Sequence, residues 1–177
     1  SNRNPQRRKE ADMKKIAIIF AGGVGSRMGK TERPKQFLEI EGIPIIIHTL
    51  SKFQSCEDID YISISCVESY IDFMKELVYR FEIGKVRWIV PGGETSQLSV
   101  YNSLAVVEAD DAVPSNSIVL IHDGVRPAID KDLILENIRI TKERGNAITV
   151  CKATETIFVS KDQQNIYDVL DRSSIFY

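Results

Sequence analysis

Short apolar segments of strand length alternate along this chain with longer segments that carry apolar residues at helical spacing. The strand-like segments are residues 16–20, 59–66, 85–90, 117–122 and 147–151. The helix-like segments are residues 44–53, 69–81 and 131–144, together with one that begins near residue 95 and has Leu98, Tyr101, Leu104 and Ala105 on one face. This alternation predicts an α/β fold, a mostly parallel sheet with helices on both of its faces.

The segment 21–38 follows the first predicted strand and combines glycines with basic side chains. Three glycines lie within four positions, and two cations follow them. These residues are Gly22, Gly23, Gly25, Arg27 and Lys35. A glycine loop can bring bare backbone N–H groups close to an anion, while a guanidinium and an ammonium add positive charge. We therefore interpret the segment as a phosphate-binding loop rather than as a surface turn with incidental charges.

Two common nucleotide-binding motifs do not match this loop. The P-loop ends in Gly-Lys-Ser/Thr after an earlier glycine at fixed spacing, and Gly29-Lys30-Thr31 lacks that earlier glycine. The dinucleotide fingerprint requires a third glycine at the position where this chain has Met28. The sequence therefore predicts phosphate binding outside these two classes.

Three polar segments begin where predicted strands end, after Phe20, Val90 and Ile121. Ligands of open parallel sheets bind outside the carboxyl ends of the strands. The three segments are therefore predicted to form one composite site.

The pattern changes after residue 152, where the sequence predicts a β-hairpin. Segments 156–159 and 166–170 are strand-like, and the polar stretch 161–165 joins them. The pattern alone favours neither a surface hairpin nor an arm that reaches a second subunit.

Composition and charge limit the classes of protein to which the chain can belong. Its 177 residues, 43% of them hydrophobic, predict one globular domain with a sizeable core after a tag or disordered tail at residues 1–12. A net charge of −2 argues against nonspecific nucleic-acid binding, and we expect neither a membrane span nor a secretory leader. Three cysteines without CxxC spacing predict a cytoplasmic protein, with Cys66 and Cys151 as reduced core residues.

Four blocks in this order carry a resemblance to a known family. They are GGVGSRMG followed by RPKQFLEI, PGGETSQLSV at 91–100, IHDGVRP at 121–127, and the dipeptides ET at 155–156 and DR at 171–172. From Met13 onward the chain resembles the cytidylyltransferases that act on 2-C-methyl-D-erythritol 4-phosphate or D-ribitol 5-phosphate. The resemblance implies a Rossmann-like, three-layer nucleotidyltransferase fold and transfer of CMP from CTP to such a polyol phosphate, with release of pyrophosphate. Segments 45–49 and 122–127 lean toward the ribitol-type relatives.

The resemblance assigns the CTP side of the reaction to two of these blocks. The expected triphosphate ligands are the backbone N–H groups of Ala21, Gly22, Gly23 and Gly25. Arg27 and Lys35 would stabilise the charge that develops on the phosphates. Gly93 and Ser99 would read the cytosine, with an ordinary helix-surface serine as the alternative for Ser99. Ser96 stands where the family often has arginine.

The resemblance also implies a metal site and an acceptor site. Asp123 is expected to bind Mg²⁺, with a turn cap as the alternative. Arg126, Thr156 and Arg172 are expected to contact the acceptor, with a structural ion pair as the alternative for Arg126. The hairpin at 153–172 corresponds to an arm that places Arg172 in a neighbouring subunit, which implies a homodimer.

The resemblance further implies that residues 13–177 are a nucleotidyltransferase domain whose C-terminal part is missing. Family members continue for tens of residues, with a second metal-binding aspartate, a lysine near the phosphates, and a final strand and helix. Two alternatives stay open. One is a sugar-phosphate nucleotidyltransferase that uses another nucleoside triphosphate, and the other is an inactive nucleotide-binding fragment.

Overall fold

A computed structural model describes residues 13–21 and 33–177, in which a parallel sheet is flanked by helices. The strands are β1 (Lys15–Ala21), β2 (Glu39–Ile40), β3 (Ile43–Pro44), β4 (Tyr61–Cys66), β5 (Val86–Pro91), β6 (Ile118–Asp123), β7 (Ile157–Val159) and β8 (Asp168–Leu170). The helices are α1 (Ile45–Ser55), α2 (Ile71–Arg80), α3 (Ser96–Glu108) and α4 (Lys131–Arg144). The central sheet has the order β5-β4-β1-β6, and every pair in it is parallel, as predicted.

The two inner strands bury side chains on both faces of the sheet. In β1, Ile16 and Ile18 point to one face while Ala17 and Ile19 point to the other, and all four are fully buried. Runs of branched apolar residues are typical of parallel strands that are covered on both sides. The strand predictions at 16–20, 59–66, 85–90 and 117–122 are therefore confirmed to within a few residues.

One face of the sheet carries most of the apolar core. Helices α1, α2 and α4 contribute buried side chains to the same cluster as β1 and β4. Examples are Phe53, Leu50, Met74, Leu77, Ile134, Ile138, Ala17, Ile19, Ile62 and Ile64. Because three helices meet there, large side chains fill this layer.

Helix α3 covers the opposite face with small side chains. Its buried residues are Ser99, Ser103 and Val107, and it contacts β1, β4 and β5. The predicted apolar face is not the buried one, because Leu98 and Tyr101 are 46% and 65% exposed. The physical reason is that small side chains let the helix approach the sheet closely, as in a tightly packed interior.

The ends of the helices follow local sequence signals. Thr95 caps α3 by accepting a hydrogen bond from the Leu98 N–H at 3.1 Å, and Asp130 caps α4 through the Leu133 N–H at 2.8 Å. Gly145 ends α4 with a φ of 90°, the left-handed conformation that glycine adopts without strain. The predicted end of this helix at Gly145 is confirmed. No helix in the described residues is long and apolar enough to cross a bilayer.

The strand predicted at 147–151 does not form, and Cys151 is exposed rather than in the core. The Cys151 N–H donates to the Tyr177 carbonyl at 2.7 Å, and the Ala153 N–H donates to the Ile175 carbonyl at 3.0 Å. Within this segment the backbone pairing is therefore that of Cys151 with the last residue of the chain. Cys66, by contrast, is buried as predicted.

The predicted hairpin at 153–172, here called the arm, is present. Strands β7 and β8 pair in antiparallel fashion, with Ile157 opposite Leu170 and Phe158 opposite Val169. The pairing of Cys151 and Ala153 with the end of the chain continues this ribbon at its base.

Candidate active site

The carboxyl ends of the four parallel strands form one edge, and Ala21, Gly93 and Asp123 lie at or just after these ends. The strand register places Ala21 beside Cys66, Cys66 beside Pro91, and Phe20 beside Asp123. Neighbouring strands are about 4.8 Å apart, so Pro91 and Asp123 are separated by about 14 Å across the edge. An extended nucleotide could span this distance, with its base at β5 and its phosphates between β1 and β6. Of the predicted site residues, Gly22, Gly23, Gly25 and Arg27 lie outside the described residues.

Asp123 ends β6 with a carboxylate that already has two partners. Its Oδ1 accepts a hydrogen bond from the Val125 N–H at 3.1 Å, and its Oδ2 lies 3.4 Å from Nε of Arg126. The first contact is the turn cap and the second is the ion pair that the sequence left open as alternatives. The Arg126 contact is long and solvent-exposed, so it contributes little and can be exchanged.

The donor chemistry at Asp123 suits a magnesium ion that is also bound by phosphate. A carboxylate oxygen is a hard ligand, and Mg²⁺ commonly takes one or two carboxylates together with substrate phosphates and water. Within residues 13–21 and 33–177, no three His, Cys, Asp or Glu side chains are grouped as a metal site. Asp123 could therefore contribute one ligand, and the phosphates would supply others.

His122 fixes the turn that follows Asp123. Its Nε2 lies 3.0 Å from the Arg126 carbonyl, and its ring lies 5.4 Å from that of Phe53 in α1. Both contacts give His122 a structural role in this turn.

The segment after β5 is shaped by Ser99 and by two glycines. Ser99 is 1% exposed, and its Oγ accepts from the Gly93 N–H and donates to the Thr95 carbonyl, both at 3.0 Å. The helix-surface alternative for Ser99 is therefore wrong. The Gly92 N–H donates to the Cys66 carbonyl at 2.6 Å, which attaches this segment to the end of β4.

Gly93 is needed because its backbone lies against the start of α3. A Cβ at this position would overlap Cβ of Leu98 and would come within 3.0 Å of the Leu98 carbonyl carbon. The absence of a side chain thus brings the Gly93 backbone close to the helix.

Lys35 lies in a short 3₁₀ helix, Lys35–Phe37, with its side chain exposed. The next residue, Gln36, is buried, and its Nε2 donates to the Ala21 carbonyl at 2.8 Å. Lys35 is therefore joined through its neighbour to the start of the glycine loop.

Thr156 and Arg172 lie in the arm, and both are exposed. Arg172 donates from Nη1 to the Thr154 carbonyl at 3.3 Å, a contact within the arm. Beside it, Asp171 accepts hydrogen bonds from the Ser173 N–H and hydroxyl, and these bonds lower the pKa of its carboxyl group. These contacts order the base of the arm, and none of them joins it to Asp123 or Lys35.

Two polar residues of the site region were not predicted from the sequence. They are Gln36, described above, and Thr49, whose buried Oγ1 donates to the Gly124 carbonyl at 2.8 Å. The available signal was a polar residue within a predicted buried surface, because Thr49 lies among the apolar residues of α1.

Comparisons with known proteins identify the family to which the chain is similar. Residues 15–177 match the family model described as IspD, 2-C-methyl-D-erythritol 4-phosphate cytidylyltransferase. A ribitol-5-phosphate cytidylyltransferase of Vibrio parahaemolyticus is 47% identical over 89% of this chain and 66% of its own length. A protein of the same name from Streptococcus agalactiae is 47% identical over 93% of this chain and 68% of its own length.

Two further comparisons involve the methylerythritol branch. A 2-C-methyl-D-erythritol 4-phosphate cytidylyltransferase of Clostridium acetobutylicum is 42% identical over 90% of this chain and 67% of its own length. The crystal structure of 4-diphosphocytidyl-2C-methyl-D-erythritol synthase from Anaerococcus prevotii superposes with a TM-score of 0.72 at 26% identity. The superposition covers 94% of this chain and 68% of that one.

The chain spans about two thirds of the length of the curated relatives it matches. The match to the family model covers nearly all of the described residues, and the fold agrees with that of a solved relative. The α/β nucleotidyltransferase fold expected from the resemblance is thereby confirmed. This chain belongs to the 2-C-methyl-D-erythritol 4-phosphate cytidylyltransferase family.

Proposed function

We propose that the protein transfers CMP from CTP to a phosphorylated sugar alcohol, and that D-ribitol 5-phosphate is the preferred acceptor. The observation that carries this proposal is the common edge formed by Ala21, the Gly93 segment and Asp123. In this proposal the phosphates of one nucleotide would bind at one end of this edge and its base at the other.

The reaction joins two phosphates and requires little covalent chemistry from the protein. A phosphate oxygen of the acceptor attacks the α-phosphorus of CTP, the bond to the bridging oxygen breaks, and pyrophosphate leaves with the electron pair. The protein aligns the attack and neutralises the charge shared among the phosphates. The backbone after Ala21 and the exposed Lys35, together with Arg27, would supply this neutralisation.

Mg²⁺ would be bound by Asp123 and by phosphate oxygens of CTP, where it would neutralise charge on the triphosphate. Asp123 ends β6, which pairs with β1 along its length, so the backbone at Asp123 is held by the sheet. Arg126 starts in contact with Asp123 and is exposed enough to turn toward the phosphate of the acceptor.

The arm would complete the acceptor site in a homodimer. A two-stranded hairpin is marginally stable in water by itself, and this one exposes Phe158 and Val169. We propose that the arm packs against a second copy and carries Thr156 and Arg172 to the acceptor phosphate. The proposal places the enzyme in the cytoplasm, where its three unpaired cysteines would stay reduced.

The choice of acceptor rests on the relatives. The two at 47% identity described above are named ribitol-5-phosphate cytidylyltransferases, whereas the one named for methylerythritol phosphate is 42% identical. 2-C-Methyl-D-erythritol 4-phosphate is therefore the second candidate acceptor.

A pyrophosphate-release assay tests the proposal. Each of CTP, UTP, GTP and ATP is supplied with Mg²⁺ and either acceptor, using this chain and a version extended past Tyr177. Among the four nucleotides, we expect pyrophosphate release only with CTP. We expect kcat/KM for ribitol 5-phosphate to be at least about tenfold above that for 2-C-methyl-D-erythritol 4-phosphate. Preference for the second acceptor would replace the first assignment, and release with another nucleotide would contradict the assignment of CTP.

A matched pair of lysine variants tests the site. Lys35→Ala should lower kcat/KM by about 100-fold, because a fixed charge near the phosphates is lost. The control is Lys52→Ala, which removes an exposed lysine that lies in α1 and not at the site. This variant should retain activity. Equal activity of the two variants would exclude a catalytic role for Lys35.

No turnover by the extended protein with any substrate pair would leave only the nucleotide-binding alternative.

A further inference from the structure

Two buried polar side chains reach the backbone of the site from beneath it. Gln36 and Thr49 belong to the segment between the glycine loop and β4, and both are essentially inaccessible to solvent. Each donates a 2.8 Å hydrogen bond to a main-chain carbonyl at the carboxyl ends of the strands. This edge of the sheet, which carries the proposed site, is called the catalytic edge below.

Gln36 fixes the carboxyl end of β1. Its Nε2 donates to the carbonyl of Ala21, the last residue of the strand. The next residue, Phe37, anchors this position, because its ring stacks on Tyr70 at 5.0 Å and meets Phe73 edge-on at 5.2 Å. A rigid aromatic group thus determines where the Gln36 amide points.

Thr49 fixes the turn that follows Asp123. Its hydroxyl donates to the Gly124 carbonyl across a buried contact. The turn also packs on α1, because a Cβ at Gly124 would lie 2.6 Å from Cδ1 of Ile46 and 3.2 Å from Cβ of Ala21. The helix therefore contacts the turn through both packing and a hydrogen bond.

The two anchored points are also joined to each other. The Gly124 N–H donates to the Phe20 carbonyl at 2.9 Å, so the end of β6 is bonded to the end of β1. Phe20 and Asp123 are partners in the strand register. A shift at either anchor would therefore change the distance between Ala21 and the Asp123 carboxylate.

We infer that Gln36 and Thr49 are positioning residues, with Gln36 fixing Ala21 at the end of β1 and Thr49 fixing the turn that carries Asp123. Neither side chain reaches the reacting atoms. Burying an amide or a hydroxyl is costly unless it is hydrogen-bonded, and an apolar side chain would fill either position without that cost. Both polar groups donate their hydrogen bonds to carbonyls of the catalytic edge. This inference rests on the proposed function and deepens it.

The first test separates the two roles by kinetics. Gln36→Met removes the donor at similar size and should raise KM for CTP about tenfold, with the Mg²⁺ concentration for half-maximal rate unchanged. Thr49→Val removes the hydroxyl at similar size and should raise that Mg²⁺ concentration about tenfold, with KM for CTP little changed at saturating Mg²⁺. Thr49→Ser keeps a hydroxyl and should restore the wild-type Mg²⁺ requirement.

The control is Ser103→Ala, which removes a buried hydroxyl that has no hydrogen-bond partner in the described part of α3 and the sheet. It should leave both constants at wild-type values. If Gln36→Met and Thr49→Val lower the melting temperature but change neither constant, both residues are merely structural and the inference is wrong. The same holds if the two variants change the same constant equally.

The second test needs no catalysis. Amide hydrogen exchange of the ligand-free protein is followed in peptides that cover 15–21 and 118–126. Gln36→Met should accelerate exchange mainly in the first peptide and Thr49→Val mainly in the second, while Ser103→Ala changes neither. This pattern in a protein that shows no turnover would leave the anchors in place and reject only the proposed function. Unchanged exchange in both variants would reject the anchors.

Discussion

The central sheet and the arm differ in where they place their apolar side chains. In β1 and β4, residues such as Ile16, Ile18 and Ile62 are fully buried between helices. In the arm, Phe158 and Val169 face each other across the hairpin and are 52% and 54% exposed. The sheet is therefore stabilised by burial within this chain, whereas much of the apolar surface of the arm has no cover among the described residues.

Local polar contacts give the arm its order instead. Asp162 accepts hydrogen bonds from the N–H groups of Gln164 and Asn165 and from the side chain of Asn165, and its carboxyl pKa is lowered strongly, most by the Asn165 amide. Asp171 caps the short 3₁₀ helix at the base of the arm. The sheet is thus ordered by its buried apolar core, whereas the arm is ordered by local hydrogen bonds and leaves apolar side chains exposed.

Truncating one large apolar side chain in each region should give the largest contrast. Leu50→Ala removes a fully buried side chain of α1 and should lower the free energy of unfolding by about 3 kcal/mol. Phe158→Ala should change it by about 0.5 kcal/mol or less, because half of that side chain is already in water. Urea unfolding at low protein concentration measures both values. Similar losses for the two variants would mean that the arm is packed as firmly as the core.

A smaller effect is expected at Gly93, where the catalytic edge meets α3. Gly93→Ala should cost about 2 kcal/mol, because the new methyl group overlaps Leu98. Gly84→Ala is the matched control, because a Cβ at Gly84 meets no atom within 4 Å and its φ is outside the left-handed region. Thermal unfolding of the two variants tests this, and a Gly93→Ala protein as stable as the control would contradict the close approach described here.

The sheet was predictable from the sequence because its signals are local. Each signal depends only on residues nearby in the sequence. These signals are the apolar runs of strand length, Thr95 and Asp130 at helix starts, and Gly145 at a helix end. The parallel direction of the strands follows from the alternation of strands and helices, whereas the order β5-β4-β1-β6 was not predicted. The positions of Gly93 and Asp123 were predicted for the same reason.

The features that were missed depend on partners far away in the sequence. Residues 147–151 have the composition of a strand, but Cys151, the last of them, exchanges backbone hydrogen bonds with Tyr177. The buried face of α3 is set by how closely the helix approaches the sheet, and hydropathy does not report this. Gln36 contacts Ala21 and Thr49 contacts Gly124, so neither role is visible before the chain is folded.

Thiol reactivity compares the sheet and the arm in the unmodified protein, without any substitution that changes packing or charge. Cys66 in β4 is buried, and that burial raises its pKa to about 11, while Cys151 at the base of the arm is exposed. A thiol with a raised pKa stays protonated at pH 8 and is a poor nucleophile. Under native conditions a maleimide should therefore label one site, Cys151, and in denaturant it should label all three cysteines.

Cys151→Ser provides the control for this labelling, because it should abolish the native reaction and leave two sites reactive in denaturant. Mass spectrometry of peptides identifies the labelled residue. Rapid native labelling of Cys66 would mean that the sheet opens as readily as the arm, and protection of Cys151 would mean that the base of the arm is covered. If the protection of Cys151 decreased on dilution of the protein, the covering surface would belong to another copy of the chain. Only an intermolecular contact weakens on dilution.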